Sequence, residues 1–185
     1  MNKIKIRTKT KIIFGVILFL FFKIVTPYLF TPREIQELNN NINFPYKFIS
    51  PLEEFNEEGW EKETRYNTVN YTDSRGDYII FEGYPDLSNS HKLTRLGIDN
   101  LEFSLFGIHV GDNMTFVDSI MKENGYRRKK TDKDNYEYYK GKIDISLARD
   151  RIEMEHEEEK RVVETLRAFT ISIRSSDWFH KGYYK

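Results

Sequence analysis

The sequence predicts an α+β protein, in which an N-terminal transmembrane helix is followed by an antiparallel sheet packed by one main helix. Apolar and polar residues alternate in several segments after residue 65, which is typical of half-buried strands. Residues 106–126 contain one amphipathic helix with both a start and a stop signal. A long apolar stretch lies near the N-terminus. Strands grouped around few helices favour α+β over a parallel α/β fold.

The first thirty residues predict a membrane anchor. Residues 1–11 form a basic head without acidic residues, and residues 12–30 are largely apolar, with Lys23 as the one charge. As a helix, residues 12–30 span about 28 Å, close to the ~30 Å thickness of a bilayer core. No small-residue cleavage pattern is present. The sequence therefore favours an uncleaved signal anchor over a cleaved signal peptide or a buried soluble helix.

The distribution of charge predicts the orientation in the membrane. Five basic residues precede the apolar run, and only Arg33 closely follows it. The positive-inside rule then places the N-terminus in the cytoplasm and the C-terminal domain outside it, in a single-pass protein of the cell membrane. The chain has 29 basic and 29 acidic residues, so the part beyond the head is mildly acidic. That balance argues against nucleic acid as a partner.

The chain beyond the anchor divides into a spacer and a domain. Residues 31–64 are predicted to be a juxtamembrane spacer, with a short helix at 31–38 and a short strand at 46–49. Its acidic part, residues 53–63, is predicted to be a solvated helix or loop with two apolar anchors, Phe55 and Trp60. Residues 65–185 are predicted to be the extracytoplasmic α+β domain.

Period-two patterns predict the strands of this domain. They are expected at residues 68–72, 77–84, 91–98, 101–108, 136–140, 143–147 and 166–174. Residues 147–166 are rich in charge, and their spacing does not decide between a long ribbon hairpin and a short surface helix.

The main helix is predicted over residues 113–124. Asp112 or Asn113 is expected to cap its first N–H groups. Gly125 and Tyr126 are expected to end it in a Schellman-type stop. The predicted apolar face consists of Phe116, Val117, Ile120 and Met121. The polar residues of this segment are thus predicted to cap the helix, and its apolar residues are predicted to pack in the core.

The sequence predicts no catalytic, cofactor-binding or metal site. The four histidines, His91, His109, His156 and His180, do not have the spacing of zinc ligands. A weak divalent-cation site at His156 is one interpretation of its glutamate-rich surroundings, and a solvated acidic loop is the other. There is no nucleophile or phosphate-loop motif, and no cysteine. The protein is therefore predicted not to be an enzyme, with a hydrolase site assembled only in three dimensions as the alternative.

Three tyrosines form the predicted partner surface. Tyr136, Tyr138 and Tyr139 lie in the hairpin after the main helix, and tyrosine is common at protein interfaces. Packing within the sheet is the other interpretation. Base stacking beside the basic residues 127–130 is a third, which the acidic domain opposes.

Residues 106–174 resemble a known family. Gly107 and Gly111, the helix with Val117 and Met121, and then Gly125 are similar to the small α+β module of outer-membrane-assembly small lipoproteins and of beta-lactamase-inhibitor-protein-like domains. The resemblance implies a glycine turn, a short helix and an antiparallel strand hairpin. It also implies binding or scaffolding in the cell envelope, without shared catalytic residues. The expected function is that of a membrane-anchored protein-binding or envelope accessory module, inhibitor-like or immunity-like, with an envelope protein as its partner.

Overall fold

The computed structural model describes residues 14–16, 19, 32–83, 91–129, 135–156 and 159–174, with only the backbone pairing described at 152–156 and 159–161. From residue 32 these form two helices, α1 (Arg33–Asn41) and α2 (Met114–Glu123), and a 3-10 turn at Leu52–Glu54. The strands are β1 (Ile42–Asn43), β2 (Trp60–Arg65), β3 (Thr68–Asp73), β4 (Tyr78–Glu82), β5 (Lys92–Ile98), β6 (Ser104–Leu105), β7 (Arg127–Arg128), β8 (Asn135–Lys140), β9 (Ile143–His156) and β10 (Glu159–Ile173).

The architecture is α+β, as predicted. Eight strands form one antiparallel sheet in the order β2-β3-β4-β5-β10-β9-β8-β7. Strand β10 lies between β5 and β9, so the last strand of the described chain closes the middle of the sheet. Strands β1 and β6 form a separate two-stranded pair.

The hydrophobic core lies on one face of this sheet. Alternate residues of the central strands enter it because successive side chains of a strand point to opposite faces. Helix α1 adds Ile35 and Leu38, and α2 adds Met114, Val117 and Met121. The buried residues of the strands include Val69, Tyr71, Ile79, Phe81, Leu93, Leu96, Ile98, Tyr138, Ile143, Ile145, Leu147, Phe169, Ile171 and Ile173.

The predicted main helix is confirmed with its caps. The side chain of Asn113 accepts a hydrogen bond from the Thr115 N–H at 2.9 Å. Gly125 has φ +78°, and the Tyr126 N–H donates to the Met121 carbonyl at 3.0 Å. This is the Schellman arrangement that the sequence predicted.

The buried face of α2 differs from the predicted one. Phe116 is 48% exposed, whereas Met114, Val117 and Met121 are 2% exposed or less. The residues that face the sheet are spaced by three and four, which is the true period of a helix. Placing Phe116 in the core was therefore wrong.

Residues 33–55 are part of the domain and not a spacer. Phe44, Phe48 and Phe55 are each 7% exposed or less and pack in the same core as the α1 residues Ile35 and Leu38. The predicted boundary at residue 65 is corrected, because α1 and the segment after it contribute to the same core. Apolar residues scattered through a polar segment do not show which core they join.

One polar side chain explains how α1 is held to this segment. The predicted helix stopped before the asparagine run, but α1 continues to Asn41. Asn39 accepts a hydrogen bond from the Phe48 N–H at 2.8 Å and donates to the Phe48 carbonyl at 3.1 Å. The amide therefore pairs with the backbone of a distant loop and does not end the helix.

One predicted strand is absent and another is much shorter than predicted. Residues 46–49 form a turn in which Ile49 has φ +70°. Within residues 101–108, only Ser104–Leu105 form a strand, and Leu101 is 68% exposed. Phe106 and Gly107 both have positive φ, which reverses the chain after two paired residues. Alternation over a short stretch therefore indicated a longer strand than the backbone allows.

The charged segment between residues 147 and 166 is a ribbon hairpin. The ladder between β9 and β10 runs from Ile143↔Ile173 to His156↔Glu159. Among the described residues, the pairing of β8 with β9 ends at Ala148, and that of β5 with β10 ends at Phe169. Residues 149–156 and 159–166 continue the β9–β10 ladder as a hairpin; we call this part of the ladder the ribbon.

Some predictions fall outside the described residues. The predicted span, residues 12–30, is described only at 14–16 and 19, and His180 is not described. Among the described residues, no helix is both long enough and apolar enough to cross a membrane.

Candidate functional site

The second face of the sheet is polar at its centre. Strand β9 alternates its buried residues with Asp144, Ser146 and Ala148, and β10 alternates with Thr170 and Ser172. None of the buried strand residues of the described core lies on this face. We call it the polar face. An antiparallel sheet with one apolar and one solvated face requires this alternation.

A shallow groove of 130 Å³ lies on the polar face. Its lining combines small hydroxyl side chains with charged ones: Lys129, Glu137, Asp144, Ser146, Thr170 and Ser172, with parts of Tyr138 and Ile145. The longer side chains of Lys129, which follows β7, and of Glu137 on β8 form the rim beside these small central residues. The groove therefore offers hydroxyl groups at its floor and charges at its edge.

Asp144 forms ion pairs with two cations at the rim of the groove. Its Oδ1 atom lies 2.9 Å from Lys129 Nζ, and its Oδ2 atom lies 2.6 Å from Arg174 Nε. Lys129 also approaches Glu137 at 3.9 Å and lies 5.9 Å from the centre of the Tyr139 ring. These exposed pairs add little to stability. They place one carboxylate and two cations beside the groove.

Tyr78 forms the other side of the central region. Its hydroxyl lies 3.2 Å from Thr170 Oγ1, and its ring lies over Gly97 of the neighbouring strand. A Cβ atom on residue 97 would overlap this ring. A glycine is therefore needed for the aromatic ring to lie flat across β5.

The three predicted partner-surface tyrosines do not share a surface. Tyr138 is 0% exposed, and its hydroxyl donates to Asp118 Oδ1 at 2.6 Å. Burial, followed by the hydrogen bond to Asp118, raises the pKa of Tyr138 well above its ordinary value. Only Tyr139 lies on the polar face, since Tyr136 and Tyr138 alternate with it along β8. The assignment of Tyr138 to a partner surface is corrected, because a partner cannot reach it.

Tyr136 belongs to a charged cluster at the base of the ribbon. The guanidinium groups of Arg128 and Arg149 each lie 4.8 Å from the centre of its ring. Its hydroxyl donates to Glu164 Oε2 at 3.2 Å and accepts from Arg149 at 3.2 Å. Glu164 also forms ion pairs with Arg149 and with Arg151, the latter at 3.1 Å. We call these five residues the basal cluster.

The basal cluster sets the charge of Glu164. Burial raises the pKa of this carboxyl, but the hydrogen bond and charge of Arg149 and the hydrogen bond from Tyr136 outweigh it, so the pKa lies below its ordinary value. The Arg149 side chain is 8% exposed. An ion pair largely removed from water needs its partner to remain in place. The cluster therefore joins β8, β9 and β10 at the base of the ribbon.

Two aspartates at one end of the sheet, Asp73 and Asp77, have structural roles. Asp77 is 1% exposed and accepts a hydrogen bond from the Asp99 N–H at 3.0 Å. Burial is the main reason that its pKa is raised. Asp73 binds the backbone N–H groups of Arg75 and Asp77 at 2.9 and 3.0 Å. These contacts hold the β3–β4 turn, and Asp77 is shielded from solvent.

The histidines do not form a site in the described part of the chain. His91 is half-buried beside Gly83, whereas His109 is exposed before α2 and its N–H donates to Asp112 at 2.8 Å. No three or more His, Asp or Glu side chains among the described residues are placed to hold a metal ion. The structure describes only the backbone of His156.

Comparison with protein-family models, with curated proteins and with solved structures finds no match.

Sequence reasoning missed the groove, although a signal for it was present. On β9 and β10, the residues that alternate with the apolar ones include Ser146, Thr170 and Ser172. Exposed strands often have long charged side chains at such positions. A row of small hydroxyl residues across two strands predicts a depression. The order of the strands was needed to show that these residues are adjacent.

Proposed function

We propose that this chain is a membrane-anchored, extracytoplasmic binding module without catalytic activity, and that its polar face receives a protein of the cell envelope. The observation that carries this proposal is the groove beside Asp144, with its hydroxyl floor and ordered charged rim.

The size of the groove favours a protein partner. At 130 Å³ it is below the ~300–1,000 Å³ of pockets that enclose small molecules. It is large enough for one or two side chains of a partner that lies across the sheet. The carboxylate and cations of the rim suit a partner with opposite charges, because complementary charges improve specificity and association rate.

The exposed residues near the N-terminus support the membrane anchor. Phe14, Val16 and Phe19 are helical and between 53% and 66% exposed. Large apolar side chains on the exposed surface of a helix favour an apolar surrounding such as lipid. With the basic head before them, the proposed orientation places the sheet outside the cytoplasm.

Protease treatment of intact protoplasts tests this orientation. We expect external protease to remove the C-terminal domain while the N-terminal segment stays protected. Protection of the C-terminal domain in intact cells, with digestion only after lysis, would contradict the proposed location.

Site-specific photo-crosslinking tests the binding surface. A photo-reactive residue at Ser172, in the groove, is compared with one at the exposed Thr115 on α2, both in the full chain in its own membrane. We expect one envelope protein to be captured from Ser172 and not from Thr115.

A binding measurement with the captured protein completes the test. We expect Ser146→Trp, which fills the groove, to weaken binding at least about tenfold, which corresponds to about 1.4 kcal/mol. Ser119→Trp on the exposed side of α2 is the matched control and should bind like the wild type. Equal binding by both variants would overturn the proposal. An inhibitor-like or immunity-like role predicts that the captured protein loses an activity on binding.

A further inference from the structure

The start of α1 and the turn between β8 and β9 lie together at one end of the sheet. The Glu34 side chain lies so close to Gly141 that a Cβ atom on residue 141 would be 2.6 Å from its Oε1 atom. One helical turn later, Glu37 forms an ion pair with Lys140 at 2.7 Å. The hairpin turn is therefore held directly beside the first turns of the helix.

Arg174, the residue after β10, is joined to the same hairpin turn. Its guanidinium donates a hydrogen bond to the Gly141 carbonyl at 2.7 Å, and its backbone N–H donates to the Lys142 carbonyl at 2.8 Å. Three segments that are far apart in the sequence thus meet here: the start of α1, the β8–β9 turn and the end of β10. We call this part of the molecule the α1 end.

The length of the chain before α1 limits the distance between the α1 end and the membrane. In the proposed function, on which this inference rests, residues 12–30 cross the bilayer. Helix α1 begins at Arg33, three residue steps after residue 30, and three extended steps reach at most about 10 Å. The headgroup layer on each side of the bilayer core is itself ~5–8 Å thick. The first turn of α1 therefore starts within or next to the headgroups, with the β8–β9 turn beside it.

The α1 end has more basic than acidic side chains. The basic residues that its contacts join are Arg33, Lys129, Lys140, Lys142 and Arg174, and the acidic ones are Glu34, Glu37 and Asp144. Glu37 and Asp144 each form ion pairs with two cations. Lys142 forms no ion pair with any described residue. The side chains of Arg33 and Arg174 are 90% and 54% exposed. Positive charge is therefore in excess at this end.

The opposite end of the sheet is acidic. The registers of β5, β10 and β9 place Asp99 at the end of the sheet opposite to Lys142. There the β3–β4 turn meets the loop after β5, because Arg75 pairs with Glu102 at 3.4 Å and the Asp99 N–H donates to Asp77 at 3.0 Å. The acidic residues of these two segments are Asp73, Asp77, Asp99 and Glu102, and Arg75 is their one basic residue. The two ends of the sheet thus differ in the sign of their charge.

We propose that the domain contacts the membrane through its α1 end, with Arg33, Lys142 and Arg174 against anionic lipid headgroups and the acidic end directed away from the bilayer. An anionic lipid surface attracts basic residues that are held close to it and repels acidic ones. Asp144 is two residues from Lys142, about 7 Å along the strand. The groove then lies near the bilayer surface, which favours an envelope partner anchored in the same membrane.

Fluorescence quenching by lipid headgroups tests this orientation. The chain has no cysteine, so one fluorophore can be attached at a chosen residue of the full chain in vesicles. These vesicles contain anionic lipids and lipids with a quencher on the headgroup. Lys142→Cys marks the α1 end, and Asp150→Cys is the matched control eight residues further along β9, about 26 Å away. Since the quencher stays in the thin headgroup layer, we expect quenching at least about twofold stronger at residue 142 than at residue 150.

Flotation of the same vesicles separates the two ways in which this experiment can fail. A chain that does not float with the vesicles would contradict the membrane anchor, and therefore both the proposed function and the orientation. A chain that floats but is quenched equally at residues 142 and 150 would overturn the orientation alone, because the anchor would be present without a preferred side of the domain toward the bilayer.

Charge reversal tests the role of the anionic lipids. Arg33→Glu is added to the labelled Lys142→Cys chain, and Arg167→Glu, an exposed arginine on β10 near the ribbon, is the matched control. On anionic vesicles we expect Arg33→Glu to lower quenching at residue 142 about twofold and Arg167→Glu to leave it unchanged. On zwitterionic vesicles the two variants should behave alike. Equal quenching of both variants on anionic vesicles would show that charge does not hold the α1 end at the surface, and would contradict the proposal.

Discussion

The ring of Tyr78 lies directly over Gly97, so that a Cβ atom on residue 97 would overlap it. Gly97→Ala is therefore expected to push the ring off the sheet and destabilise the fold by about 1–3 kcal/mol, the usual cost of overpacking. Denaturant unfolding measures the change. In a Tyr78→Ala background the same alanine should cost much less, because the obstructing ring is gone. An equal cost in both backgrounds would show that the contact does not determine the residue.

Tyr138 supports α2 by its hydrogen bond to Asp118. Tyr138→Phe is expected to lower the free energy of unfolding by about 1–2 kcal/mol, since a hydrogen bond to a charged group is lost in the interior. Tyr139→Phe on the polar face is the control and should change stability little. If Tyr138→Phe is neutral and instead reduces partner binding, the buried placement of this hydroxyl is wrong.

Arg149 is the residue on which the base of the ribbon most depends. Its removal leaves Glu164 without its closest cation and the Tyr136 hydroxyl without the hydrogen bond from Arg149, so Arg149→Ala is expected to cost about 3 kcal/mol. The control is Arg167→Ala on β10, which breaks an exposed 3.8 Å pair with Asp150 on β9 and should cost under ~0.5 kcal/mol. Hydrogen exchange should show faster opening of residues 159–164 in the first variant alone. Unchanged exchange there would contradict a locking role for the basal cluster.

The lowered pKa of Glu164 predicts how stability depends on pH. Because the folded protein holds this carboxyl below its ordinary pKa, its contribution is complete above the unfolded value of about 4.3 and is lost as the pH falls through the folded value. Glu164→Gln should therefore flatten the loss of stability on the acid side. Acid titration of unfolding, with Glu53→Gln at an exposed position as the control, measures this. An acid limb with the same slope as the wild type would contradict the assignment.

Local signals predicted α2 and the hairpins well. The cap at Asn113, the stop at Gly125 and the apolar spacing between them all lie within one short segment, and each has a local physical cause. The β8–β9 hairpin and the turn at residues 73–76 were equally local. Burial was harder to predict, since Phe116 and Val117 are both apolar neighbours and only the position of the sheet separates them.

The candidate site could be predicted only in part. The tyrosine run drew attention to β8, but alternation divides its side chains between the core and the polar face. The groove residues Ser146, Thr170 and Ser172 are far from Lys129 in the sequence. They meet because β10 is placed between β5 and β9, a pairing that no local pattern specifies.

By itself, the sequence determined the α+β class, the capped helix and the hairpins, because propensity, capping and period act over a few residues. Only the tertiary structure decided that residues 33–55 belong to the core, that the charged segment after residue 147 is a ribbon, and that Tyr138 is buried. Those outcomes depend on which distant strands pair and which surface a helix covers. The physical reason is that burial is shared among segments far apart in the chain, whereas sequence patterns show only that each segment has a face to bury.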